Sequence, residues 1–491
     1  MGKFDYFAKN IGIIGFTQFF LGIQGFLMLP ILTKFLSATE FGIWSQLKIT
    51  FLLLGGISVL GLDSSIIRFI SGNQNNHEVS NNFFSVLLIS LLTSLLMGVI
   101  LYIFSDKISF LLTGINEVGI YFKFISLILV LNVFHSFFTA FLIAKENILF
   151  LSKMELIGGT LEFLLVYFVL SHLFGLFGLI FIFIFIKLIV IFVIFLKLKE
   201  NFFFKKPNFK LIKHYVSYGL PLTITPLLWW ILQTGDQYVI GYFIGAKAVG
   251  IYALSYSICR LIRVIFDPIQ MILFPVLSKS WNENDKDSAK MYFTYAYKYT
   301  FMIVIPAMFG LSLLAEPILT LISSKEFIVG YKLIPIISVG VALYIFFQLA
   351  ITLLMLDKNT KKVSKMLLFL STFNLLLNLI LVPFFGYFGA AISTLLTFFI
   401  SAILGIRIIL KMGFNLMWKF LLKYVFASSI MGMAVYLLRI FLNVHEMLKL
   451  ILILLFSILI YFSILYLINV FTEKETQYIK NHLKKIISKI Y

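Results

Sequence analysis

Fourteen apolar runs, each about 20 residues long, repeat along this chain and decide most of what it can fold into. A run of that length crosses a hydrocarbon core of roughly 30 Å as a helix. In lipid only helices and closed barrels satisfy every backbone amide internally. The runs lie at about 11–32, 43–66, 83–105, 119–143, 149–170, 173–196, 218–240, 248–274, 299–322, 333–356, 364–384, 388–410, 417–441 and 447–471. The predicted fold class is therefore an all-α integral membrane protein with about 14 transmembrane helices. Only 12% of the 491 residues are charged while 61% are apolar, about half the charge of a soluble domain. Nothing in the first run resembles a cleavage site, so that span is expected to stay in the mature protein.

Basic residues set the orientation. With the N terminus inside, the inner segments hold 28 of the 40 Lys and Arg and the outer segments hold 8. That bias places both termini in the cytoplasm by the positive-inside rule. The same loops account for the formal charge of +19, which would otherwise suggest nucleic acid. No soluble region exists to carry such binding. The tail 472–491 places Ile479, Leu483, Ile486, Ile487 and Ile490 on one helical face, with lysines on the other. This reads as a basic amphipathic helix on the inner leaflet.

An internal repeat organises the spans. "TKFLSATEFGIW" (33–44) aligns without a gap with "GYFIGAKAVGIY" (241–252), and Phe35/Phe243, Ala38/Ala246, Gly42/Gly250 and Ile43/Ile251 are identical. Six spans separate the copies, so the halves run parallel, one of the known transporter plans. The expected domains are an N-terminal six-helix lobe (1–196), a cytoplasmic interlobe linker (197–217) and a C-terminal six-helix lobe (218–412). Helices 13 and 14 (413–471) and the tail (472–491) follow.

Chemical motifs are sparse. No phosphate-binding loop, zinc motif or nucleophile elbow occurs, and the single cysteine, Cys259, cannot form a disulfide within the chain. No cofactor and no metal site are expected, and short outer loops argue against an enzyme. The informative residues are polar ones inside spans, where charge is costly and marks function or internal pairing. In span 8, Tyr252, Tyr256, Arg260, Arg263, Asp267 and Gln270 recur at helical spacing and form one polar stripe. Arg263 and Asp267 stand i,i+4 and can pair. Arg260, about twelve residues into the span, has no local partner. In span 7, Asp236 can pair with Arg260 or bind a coupling cation, and Gln233 and Gln237 flank it below Trp229 and Trp230. Span 2 carries Lys48, with Asp63, Ser64 and Arg68 at its inner end. Span 5 carries Glu155 and Glu162, and Lys187 in span 6 is placed to pair with Glu162. His135 in span 4 reads as a packed residue or a proton relay. A cavity rich in cations suits a phosphate-bearing ligand, with Arg as a forked donor and Lys as a point charge.

The stretch "LPILTKFLSATEFGIWSQLKITFLLLGGISVLGLDSSIIRFIS" (29–71) resembles the opening of the Wzx-type, or O-antigen, polysaccharide flippases. The stretch "YVSYGLPLTITPLLWWILQTGDQYVIGYFIGAKAVGIYALSYSI" is similar to that family's second half. The resemblance covers about 10–410 and extends to the multidrug/oligosaccharidyl-lipid/polysaccharide exporter superfamily. It implies two six-helix lobes around a central cavity, with two extra C-terminal helices here. It also implies movement of a polyprenyl-(pyro)phosphate-linked oligosaccharide from the inner to the outer leaflet of the cell membrane. Substrate-binding candidates are Arg260, Arg263, Tyr252, Tyr256, Asp267, Gln270 and Lys48. Coupling-ion candidates are Asp236, Glu162 and Glu155. Expected partners are the lipid-linked oligosaccharide, membrane lipids and other polysaccharide-assembly membrane proteins. Two other readings remain open: a multidrug or cation antiporter of the same superfamily, and a membrane glycan polymerase or glycosyltransferase.

Overall fold

A computed structural model describes residues 3–72, 76–199, 209–442, 444–473 and 475–477. The apolar face of the tail (Ile479 to Ile490) and the linker core 200–208 lie outside the described residues. The first helices are α1 (Lys3–Phe35), α2 (Ala38–Val59), α3 (Leu62–Ile70), α4 (Asn76–Ile103), α5 (Ser105–Thr113) and α6 (Gly119–Ala144). Then come α7 (Ile148–Ser171), α8 (Gly175–Leu198), α9 (Phe209–Phe243), α10 (Ala246–Cys259), α11 (Leu261–Asn282) and α12 (Lys286–Leu313). The last are α13 (Ala315–Ile322), α14 (Leu333–Leu356), α15 (Thr360–Phe385), α16 (Tyr387–Lys411), α17 (Trp418–Phe441) and α18 (Glu446–Leu467). No strand occurs among the described residues.

Thirteen of these segments are long and apolar enough to cross a membrane, and a broken pair, Ala246–Val264 with Phe266–Asn282, makes fourteen. The chain is thus a multi-pass membrane protein whose helices mostly follow the predicted runs; the run at 299–322 is split at Leu314 between α12 and α13, and two further departures are instructive. Predicted span 2 ends at Val59, because Leu60 and Gly61 adopt left-handed φ of 55° and 64°. A Cβ on Gly61 would also sit 2.4 Å from the Gly219 carbonyl oxygen, so only glycine fits the turn. Predicted span 8 is not one straight helix. It is interrupted at Arg260, which falls between α10 and α11, so the polar stripe does not run down a single rod.

The chain divides into two compact units. The first comprises Met1–Ile258, Ile322–Gly330 and Thr360–Thr397; the second comprises Cys259–Leu321, Tyr331–Asn359 and Phe398–Tyr491. A Phe-rich core in the first unit joins Val59, Phe83, Phe137, Phe141 and Ile194, with the rings of Phe83 and Phe141 5.4 Å apart and edge-on. In the second unit α12 packs along α11, α14 and α17. There Tyr461 donates to the Met302 carbonyl at 2.7 Å, and a Cβ on Gly405 would meet the Phe346 carbonyl oxygen at 2.7 Å.

The two repeat copies meet each other inside the first unit. A Cβ on Gly42 would lie 1.8 Å from the Ala246 carbonyl oxygen, and a Cβ on Gly250 would lie 2.0 Å from that of Ala38. These are the aligned glycines and alanines of the repeat, so the contact is reciprocal: each copy offers its glycine to the other's alanine carbonyl. Close backbone approach of this kind requires glycine. A capping box starts α2, with Glu40 N donating to Ser37 Oγ at 3.2 Å and Ser37 N donating to Glu40 Oε2 at 2.9 Å.

Candidate functional site

Within the first unit, α9, α10, α15 and α16 bring together buried oxygen-bearing side chains around Asp236, which is 2% exposed. The Tyr252 hydroxyl donates to Asp236 Oδ2, and Gln237 N donates to Oδ1 at 2.9 Å. Tyr252 Oη also lies 3.4 Å from Thr394 Oγ1. One turn along α16, Thr397 Oγ1 accepts from Asn374 Nδ2 at 3.2 Å. Asn378 Nδ2 donates to Asn374 Oδ1 at 3.0 Å, and the buried Asn378 Oδ1 has no hydrogen-bond partner among the described residues. Carboxylate, hydroxyl and amide oxygens in this density suit a proton or an alkali cation.

This geometry revises the expectation for two residues. Tyr252, expected to line a cavity, is fully buried and serves Asp236. Asp236, for which Arg260 was one expected partner, is held by Tyr252 and Gln237. Tyr256 is buried and stacks on Tyr252 with centroids 6.0 Å apart. Asn374, Asn378 and Thr394 were not singled out from the sequence. The available signal was two asparagines at i,i+4 inside an otherwise apolar run.

A second polar group of the first unit draws on α2, α6, α7 and α8. Lys48 and Lys187 both act electrostatically on Glu162, but the expected Lys187–Glu162 ion pair is not formed among the described residues. The Lys187 ammonium donates to Asn132 Oδ1 at 3.3 Å and sits 5.2 Å and 5.6 Å from the Phe51 and Phe183 ring centroids. His135 feels the Lys187 charge. Glu155, nearly two turns before Glu162, is half-buried. At the foot of α3, Arg68 donates to Tyr218 Oη at 3.2 Å and lies 4.6 Å from that ring's centroid.

The second unit holds the cationic end of the stripe. Arg263 Nη2 and Asp267 Oδ1 are 3.7 Å apart, the expected i,i+4 pair. Gln270 Nε2 donates to Thr352 Oγ1 at 3.4 Å. Arg260 is exposed at the helix break. Among the described residues no group of three or more His, Cys, Asp or Glu is placed to hold a metal ion.

Membrane-length helices that bury carboxylate and amide groups define a polytopic membrane protein with a polar interior. The family model described as polysaccharide biosynthesis protein matches residues 7–281, over half of the chain, and the chain belongs to that family. A second model, MatE, matches residues 221–383. Among curated relatives, the probable flippase AglR of Haloferax volcanii is 27% identical over 181 residues, 36% of this chain and 37% of the relative. The probable low-salt glycan biosynthesis flippase Agl15 of the same organism is 23% identical over 201 residues, 41% of this chain and 42% of the relative. The chain thus spans less than half the length of these relatives. The solved structure of lipid II flippase MurJ in an inward closed conformation superposes with a TM-score of 0.76 at 20% identity, covering 91% of this chain and 97% of that one. The fold is that of MurJ.

Proposed function

We propose that the protein is a flippase that carries a polyprenyl-(pyro)phosphate-linked oligosaccharide from the cytoplasmic to the outer leaflet for cell-surface polysaccharide synthesis. The observation that carries this reading is the polysaccharide biosynthesis family match over residues 7–281 on a chain with the fold of the lipid II flippase MurJ. Both termini face the cytoplasm of the cell membrane, and the protein moves its substrate without chemical change. Arg260 and Arg263 bind the pyrophosphate, with Asp267 holding Arg263 in place when no substrate is bound. Lys48, in the first unit, is a further substrate-binding candidate. Asp236 first, and Glu162 second, binds the proton or Na⁺ that drives the cycle, and Tyr252 orients the Asp236 carboxylate. The repeats 1–196 and 218–412 act as the two lobes. A cavity of about 420 Å³ between α11, α12, α17 and α18, lined by Leu261, Met302, Met431 and Phe462 among others, gives the polyprenyl tail an apolar berth.

The MatE match over 221–383 favours a second reading, export of cationic drugs. The two separate in proteoliposomes. A flippase moves a fluorescent lipid-linked oligosaccharide above the protein-free rate and leaves a cationic dye untouched. Dye export with no glycolipid movement would reverse the assignment.

A further inference from the structure

Within the first unit, α4 and α8 each pack along α6, and the three helices leave a groove of about 570 Å³. Phe84 of α4, Leu131 and Phe138 of α6, and Leu188 and Phe195 of α8 are among its walls. Phe138 and Phe195 stack with centroids 6.2 Å apart and tie the α6 and α8 walls together. Every lining residue is apolar except Lys199, which follows the last residue of α8.

Three observations narrow the occupant. First, the groove opens to lipid: α8 is a membrane-length helix, and Phe192 on the groove's edge is 60% exposed, with Leu188 and Phe195 also exposed. A hydroxylated or charged body lying along it would lose water and meet no polar side chain before Lys199, which costs free energy. An aliphatic chain loses nothing there. Second, the length fits one leaflet. Leu188 and Lys199 are eleven residues apart, about 16 Å along a helix, and half of a hydrocarbon core of roughly 30 Å is nearly the same. Third, charge stands at one end only. Lys199 is exposed and makes no ion pair among the described residues. The topology proposed above puts that end at the cytoplasmic surface, where the leaflet is anionic.

We propose that this groove holds one acyl chain of an anionic phospholipid of the inner leaflet, with the lipid phosphate on Lys199 and the chain running along α8 towards Leu188. An ammonium at the headgroup level selects the charge, and the apolar walls select the chain. The lipid fills the space that α4 and α8 leave between them, so it belongs to the packing of the first unit. The proposal is independent of what the protein transports.

Native mass spectrometry of the full chain, titrated in detergent with phosphatidylglycerol or phosphatidylcholine of identical acyl chains, reads the affinity of the first bound lipid. Wild type is expected to bind phosphatidylglycerol about fivefold more tightly, the effect of one lysine beside an anionic headgroup. Lys199→Gln should bring the two lipids to equality and leave phosphatidylcholine binding as it was. Leu131→Trp, which sets an indole into the groove, should remove the tight binding of both. Lys199 is exposed, so its variant carries the test even if Leu131→Trp folds poorly. Lys153→Gln is the control: it removes the same charge from an exposed position on α7, away from the groove, and should keep the preference. Equal binding of the two lipids by wild type, the same loss of preference in Lys153→Gln as in Lys199→Gln, or tight binding that survives Leu131→Trp overturns the proposal. So does displacement of phosphatidylglycerol by equimolar polyprenyl phosphate, which would give the groove to a substrate tail.

Discussion

At the residue scale the buried carboxylate of Asp236 is the sharpest object in the protein. It is fully enclosed, and its hydrogen bonds come from Tyr252 and Gln237. Tyr252→Phe removes a donor to a buried group, which costs about 1–3 kcal/mol. Its melting temperature should fall while the protein still inserts. Asp236→Asn should retain most of that stability but lose the dependence of transport on an imposed proton or Na⁺ gradient. Gradient-driven transport at the parental rate in Asp236→Asn would remove Asp236 from the coupling role. The sequence revealed Asp236, Glu162 and the Arg263–Asp267 pair, because a charge inside an apolar run stands out against its neighbours. It concealed Asn374, Asn378 and Thr394, because amides and hydroxyls are common in membrane helices and signal packing as readily as binding. Tyr252 was read as a cavity wall from its place on the stripe. Helical spacing gives the face a residue occupies but not which neighbouring helix covers it.

At the scale of elements, the reciprocal seat of Gly42 and Gly250 is where the repeat turns into packing. Any side chain at Gly250 must displace the Ala38 backbone, since the added carbon would sit 2.0 Å from a carbonyl oxygen. Gly250→Ala should therefore cost about 1–3 kcal/mol, the usual penalty of overpacking. At Gly22 of α1 a Cβ meets nothing within 4 Å, so Gly22→Ala should be neutral or slightly stabilising. Thermal unfolding in one detergent compares the two directly, and equal melting temperatures would mean that the helices separate freely. The repeat was legible because its glycines and alanines align without a gap. The break at Arg260 was not, since hydropathy averages across a single non-helical residue.

A second element-scale device secures the chain after α18. Glu475 accepts from Lys298 Nζ at 2.6 and 2.8 Å, from the Tyr299 hydroxyl at 2.6 Å and from Thr472 N at 2.7 Å. Burial pushes this carboxyl up, but the Lys298, Tyr299 and Thr472 hydrogen bonds outweigh it and hold it down at about 2, against an ordinary 4.5. A depressed carboxyl contributes stability that is fully present above its unfolded value and is lost as pH falls towards the folded one. Glu475→Gln should therefore lower the melting temperature at pH 7, leaving the buried Lys298 uncompensated at a cost of up to about 3–5 kcal/mol. The difference should shrink below pH 4.5. Adding Lys298→Met should recover most of the loss. A Glu475→Gln protein as stable as wild type at pH 7 would show that the pair contributes nothing.

At the scale of the whole molecule, span count and membrane class were legible because about 20 apolar residues have few other uses. What the chain moves was less so, since charge in a span says that something polar is handled without naming it. Orientation is open to direct measurement. With Cys259, the single cysteine, replaced by Ala, cysteines placed in 357–365 should resist a membrane-impermeant maleimide from outside and those in 106–118 should react. The reverse pattern would invert the topology. The most direct test of the central claim is the rate at which a polyprenyl-pyrophosphate-linked oligosaccharide crosses proteoliposomes containing wild type, or the Arg260→Ala/Arg263→Ala double variant at equal insertion. Wild type should translocate the lipid well above protein-free vesicles, and the double variant should fall to their rate. Translocation by wild type no faster than in protein-free vesicles, under either ion gradient, would contradict the account.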